Sequence, residues 1–200
     1  MTALIELLFV VCRMLLVPVI AALLVFLGWT AVLLGGFLRE CLLRSRARKT
    51  LDRCLAEAKH GGDRRQLWKL LQNCRHDVPA AFYARTGSDI NRAEVLSHAV
   101  VELEHAMTEA MARLSLLIRV GPMLGLMGTL IPLGPALRGL ASGDIQMMAQ
   151  NLVVAFTTTI IGVLIGSMAY GISLARRVWY GRDLCDLEFI CQRLAEDTIK

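Results

Sequence analysis

An all-α integral membrane protein with three transmembrane helices is the fold class the sequence predicts. Three uncharged apolar blocks, each long enough to cross a bilayer, alternate with charged segments. The chain is 56% hydrophobic, with a mean hydropathy of +0.54, whereas a soluble domain of this kind averages about 45–50% apolar. The basic residues are gathered into alternate connections, the pattern that membrane topology imposes.

The first span is residues 14–38, MLLVPVIAALLVFLGWTAVLLGGFL, with no charge in 25 positions. A signal peptide would have a basic leader and an apolar run of only about 7–15 residues. Here Glu6 and Arg13 precede a longer run with no small-x-small cleavage site, so the segment reads as a retained helix. The apolar lead-in, residues 3–12, reads either as an interfacial helix or as an extension of the span.

The second span lies between Arg119 and Arg138, with 18 uncharged residues, VGPMLGLMGTLIPLGPAL. At 1.5 Å per residue these cover about 27 Å, with an arginine able to snorkel at each end. Pro122, Pro132 and Pro135 lie within it. Prolines are tolerated in a membrane helix where neighbours satisfy the freed carbonyls. The third span, residues 152–175, LVVAFTTTIIGVLIGSMAYGISLA, is uncharged for 24 positions and then meets Arg176 and Arg177.

Charge orients the three spans. Lys and Arg number one in residues 1–13, 14 in residues 39–113, none in residues 139–151 and five in residues 176–200. Basic segments stay on the cytoplasmic side. The N-terminus and the 139–151 connection are therefore expected outside, and the 39–113 segment and the C-terminal tail inside. The chain divides accordingly into a lead-in with the first span (1–38), a cytoplasmic helical region (39–113), a two-span segment (114–180) and a cytoplasmic C-terminal helix (181–200).

The cytoplasmic region reads as helices. TLDRCLAEAKH stops at Gly61-Gly62, DRRQLWKLLQNC carries Leu67, Leu70, Leu71 and Cys74 on one face, and Pro79 and Gly87 bound a short helix. Ser88 fits an N-cap. Beyond it Leu96, Val100, Leu103, Met107, Ala110, Leu114 and Leu117 recur with steps of four and three, and the stepping continues to Gly121. That heptad seam predicts one unbroken helix from Ser88 through the second span, packed either on its own chain or on another subunit. The second and third helices are thus long and extend into the cytoplasm.

Within the membrane, Gly121, Gly125, Gly128, Thr129, Pro132 and Ala136 share one side of the second span on a 100° wheel. Ala155, Thr159, Gly162, Gly166, Tyr170 and Ser173 share one side of the third. Small residues let membrane helices approach closely, which marks Gly121, Gly125, Gly128, Gly162 and Gly166 as packing positions. Thr129 and the run Thr157-Thr158-Thr159 place hydroxyls at mid-membrane depth. Each can bond a carbonyl of its own helix, or some, among them Thr129, Thr158 and Thr159, line a polar path. The spans contain no Asp, Glu, Lys or His. Proton relays in membranes use an ionisable side chain, so a conducting path here needs a titrating group from a partner.

Other classes find little support. No Lys/Arg cluster is interleaved with aromatics as in a nucleic-acid surface, despite a net charge of +5. No nucleophile–base pair or phosphate loop suggests an enzyme. The six cysteines form no CxxC and have no zinc spacing, and they read as free thiols acting as small apolar residues. His60, His76, His98 and His105 are scattered over cytoplasmic helices. No metal or cofactor is expected.

GPMLGLMGTLIPL resembles the second-helix signature of the MotA/TolQ/ExbB proton channel family, approximately A-P-x-L-G-L-x-G-T-V-x-G. Gly121, Pro122, Leu124, Gly125, Leu126, Gly128 and Thr129 carry the likeness in order. TTIIGVLIG resembles the third-helix pattern A-T-A-x-G-L, with Thr159 and Gly162 in place. Pro132, Met168 and Val154 depart from family usage, and three spans bring the chain closer to TolQ/ExbB than to four-span MotA. The resemblance implies a homo-pentamer around a central pore that holds single transmembrane helices of a partner similar to ExbD, TolR or MotB. An aspartate of that partner would carry protons past Thr129 and Thr159, and proton flow would drive a motor in the inner membrane. A membrane scaffold of the same fold that does not conduct is the alternative.

Overall fold

The computed structural model describes residues 2–59, 81–82, 84 and 93–196. Among these residues the chain is helical except at positions 142–144. Helix α1 spans Thr2–Lys59, α2 spans Ala93–Ala141 and α3 spans Ile145–Glu196. All three are long and apolar enough to cross a membrane. At 1.5 Å per residue, α2 with 49 residues and α3 with 52 run to about 75 Å each, so both continue far beyond a hydrocarbon core of about 30 Å.

The 3–12 lead-in continues the helix of the first span, because α1 begins at Thr2 and runs on without a break. The unbroken second helix is present from Ala93, and Pro122, Pro132 and Pro135 all lie inside it. The expected N-cap at Ser88 and most of the 60–92 segment fall outside the described residues, although Ala81, Phe82 and Ala84 are helical.

The connection between α2 and α3 is much shorter than the 13 residues the charge pattern suggested, since only positions 142–144 leave the helices. Its geometry follows from two residues. Gly143 takes a positive φ of 76°, which an L side chain resists and glycine accepts. The Asp144 N–H then donates to the Gly139 carbonyl (2.8 Å) and the Gly143 N–H to the Leu140 carbonyl (3.2 Å), the paired bonds of a Schellman ending. Asp144 at once caps the next helix, its Oδ1 accepting from the Met147 N–H at 2.9 Å.

Two compact units divide the chain, the first Met1–Leu34 with Arg113–Ser173 and the second Gly35–Ala112 with Leu174–Lys200. In the second unit Leu96, Val100 and Leu103 of the heptad seam bury against Phe82, Leu187, Ile190 and Cys191, with Met107 partly buried beside them. This part of the seam therefore packs on its own chain. Burial, with Glu188 nearby, pushes the Cys191 thiol up to about 12. The same unit holds an ion-pair network. Arg176 reaches Glu40 at 2.8 Å, Tyr180 donates to Glu40 at 3.3 Å, and Arg44 pairs with Asp183. Arg44 lies 4.8 Å from the Trp179 ring centroid, and Trp179 stacks on Phe37.

Candidate pore-lining face of α2 and α3

In the first unit α2 and α3 pack antiparallel, and glycine sets their separation. A methyl group placed on Gly162 would sit 2.7 Å from the Gly121 carbonyl oxygen and 2.7 Å from the Gly125 Cα. One on Gly128 would meet Thr158 Cβ and Oγ1 at 2.6 Å, and one on Gly166 would meet Pro122 Cγ at 2.8 Å. The two backbones touch where glycines face each other. Lacking a hydrophobic drive in lipid, helices associate through such contact.

The buried face of α2 contains Leu117, Gly121, Gly125, Gly128, Pro132 and Ala136, as its wheel indicates. The buried face of α3 keeps Ala155, Gly162 and Gly166 of the expected stripe. Thr158, Ile165, Ala169 and Ile172 join them, each at most 5% exposed, while Thr159 and Ser173 are half-buried and Tyr170 turns outward at 59%. The face is turned by part of a residue step toward Thr158, because Thr158 and Ile165 fill the hollows that Gly128 and Gly121 leave open.

The three singled-out threonines consequently occupy different places. Thr158 is buried and its hydroxyl donates to the Val154 (3.0 Å) and Ala155 (2.9 Å) carbonyls. In the single chain it belongs to the helix contact. Thr129 and Thr159 are half-buried, and their hydroxyls donate to Leu126 O at 2.7 Å and Ala155 O at 3.1 Å. Each hydroxyl keeps its acceptor lone pairs available. With Gly128 opposite Thr158 and Gly125 opposite Gly162, Thr129 and Thr159 stand at one level. Each is rotated the same way from the seam, and in an antiparallel pair that brings both to the same edge. Thr157 is exposed and bonded to the Val153 carbonyl.

Several features escaped sequence reasoning. Thr30 of α1 is fully buried and donates to Phe26 O at 2.7 Å; its position as the lone polar residue of an apolar run was the available signal. Arg44 and Arg176 read as orientation charges, yet each is committed to an acid on another helix. Among the described residues no group of His, Cys, Asp or Glu is placed to hold a metal. Cys12, Cys41, Cys185 and Cys191 are free thiols.

Fold and face together define a polytopic helical membrane protein whose second and third spans form a glycine-bonded pair edged with hydroxyls. The model of the MotA/TolQ/ExbB proton channel family matches residues 68–176, more than half of the chain. The chain belongs to that family, one of membrane proton channels rather than of enzymes. No individual curated protein and no solved structure matches it.

Proposed function

We propose that this chain is the channel-forming subunit of a complex in the inner membrane powered by the proton-motive force. Several copies, five by the family resemblance, surround the single transmembrane helix of an ExbD/TolR/MotB-like partner, whose aspartate carries the proton. The N-terminus lies outside and the C-terminus in the cytoplasm, as the distribution of Lys and Arg requires. Thr129 and Thr159 line the path and supply acceptors beside the partner's acid, while Thr158 stands behind them, holding the seam closed. Each proton crossing releases about 2.3 kcal/mol per 100 mV.

The observation that carries this reading is the common level and common edge of Thr129 and Thr159 in spans that contain no Asp, Glu, Lys or His. The edge is polar but uncharged, as suits a wall against which a foreign carboxylate changes protonation. Coexpression with the partner and measurement of proton uptake under a potential test it. Flux is expected to fall by about tenfold or more in Thr159→Val and to vanish when the partner's aspartate becomes asparagine. Flux unaltered by both changes would leave a scaffold.

A further inference from the structure

Two cavities in the first unit adjoin at the end of the spans where α1 begins and α2 ends. One, of about 300 Å³, is an apolar slot walled by Leu8, Phe9, Leu130, Ile131 and Pro135. The other, of about 610 Å³, shares Phe9, Arg13, Ile131 and Pro135 with it and adds Arg138, Gln150 and Asn151. Arg13 and Arg138 come from different helices yet line the same cavity. Arg138 lies 4.0 Å above the Phe9 ring. Among the described residues, no acid lines either cavity and neither arginine has a carboxylate partner.

Depth completes the picture. Arg13 immediately precedes the uncharged run of the first span, and Arg138 immediately follows that of the second. Both guanidiniums therefore sit at one boundary of the hydrocarbon, at the height of the lipid phosphates. Two unneutralised cations converging on one pocket attract an anion, and guanidinium favours phosphate through paired N–H donors. Apart from Arg13, the adjoining slot is lined by apolar residues and Cys12, so its natural occupant is an acyl chain.

We propose that this end of the protein is a binding site for an anionic phospholipid, whose phosphate is held between Arg13 and Arg138 and whose acyl chain lies along Phe9, Leu130 and Ile131. The site is independent of whether the protein conducts. Charge complementarity and the joined polar and apolar compartments favour a lipid over a free phosphate ion or a protein segment.

Native mass spectrometry of the purified full-length protein, titrated with phosphatidylglycerol or with phosphatidylcholine of the same chains, tests the assignment. About a 25-fold preference for phosphatidylglycerol is expected, since each of the two basic residues near an anionic headgroup contributes on the order of a factor of five. The R13Q/R138Q protein should lose the preference and R13K/R138K should largely keep it. Cys12→Trp, which fills the slot and leaves both charges, should weaken binding of phosphatidylglycerol without reducing the effect of charge on what remains. Should R13Q/R138Q fail to fold, the lysine and Cys12 variants decide alone. Equal binding of the two lipids overturns the proposal. So does competition by inorganic phosphate as effective as that by the lipid, or an assembled oligomer that excludes lipid from this end because a neighbouring copy covers it.

Discussion

A methyl group on Gly162 would press on the carbonyl oxygen of Gly121 and the Cα of Gly125, both at 2.7 Å. Neither is the end of a flexible side chain, so the helices must part to admit it. Gly162→Ala is therefore expected to destabilise the folded chain by about 1–3 kcal/mol, read as a lowered thermal midpoint in detergent. Gly171, with nothing within 4 Å, supplies the contrast: alanine there should be neutral or stabilising by about 0.5–1 kcal/mol, because it only reduces the freedom of the unfolded chain. The same pair shows what could be read in advance. The small-residue spacing identified Gly162 as a packing position, whereas the choice between Thr158 and Thr159 was beyond a helical wheel. A wheel gives the width of a face, and its centre depends on where the neighbouring helix puts its own hollows.

The turn between α2 and α3 rests on two residues with separate tasks. Gly143 occupies a left-handed conformation that ends one helix, and Asp144 caps the other. Gly143→Ala should cost about 1–2 kcal/mol for its conformation, and Asp144→Ala about 1 kcal/mol for the lost cap. Both should appear as lowered thermal midpoints and as faster proteolytic cleavage at the connection. The helices themselves were largely legible, because apolar runs and the seam from Leu96 to Leu117 have a period that no other element would produce. The turn was not, since a stretch without Lys or Arg such as residues 139–151 marks only what crosses the membrane. The pairing of Arg44 with Asp183 and of Arg176 with Glu40 was equally hidden. These partners are 139 and 136 residues apart, and an arginine beside a span already has a sufficient reason to be there. Once buried, such a pair is costly to break on one side only, by about 3–5 kcal/mol.

Orientation is a property of the entire chain, and two thiols report it. Cys185 is exposed, whereas Cys191 is buried, with its pKa pushed up to about 12. With the C-terminus in the cytoplasm, a membrane-impermeant maleimide should modify Cys185 only in inverted vesicles and should spare Cys191 there too, because the thiolate is the reacting form. Modification of Cys185 in intact spheroplasts would reverse the proposed topology. The family is legible in the sequence from Gly121 to Thr129, because the motif specifies a backbone contact. The pair of cavities at Arg13 and Arg138 was not, because it joins residues from two distant spans. The seam has a mechanical outcome as well. Where main chains meet directly, no cushion of rotatable groups separates them, and small sliding steps are blocked. Within the first unit α2 and α3 must respond to load as a single strut, so a push against either helix there would reach the other without backlash.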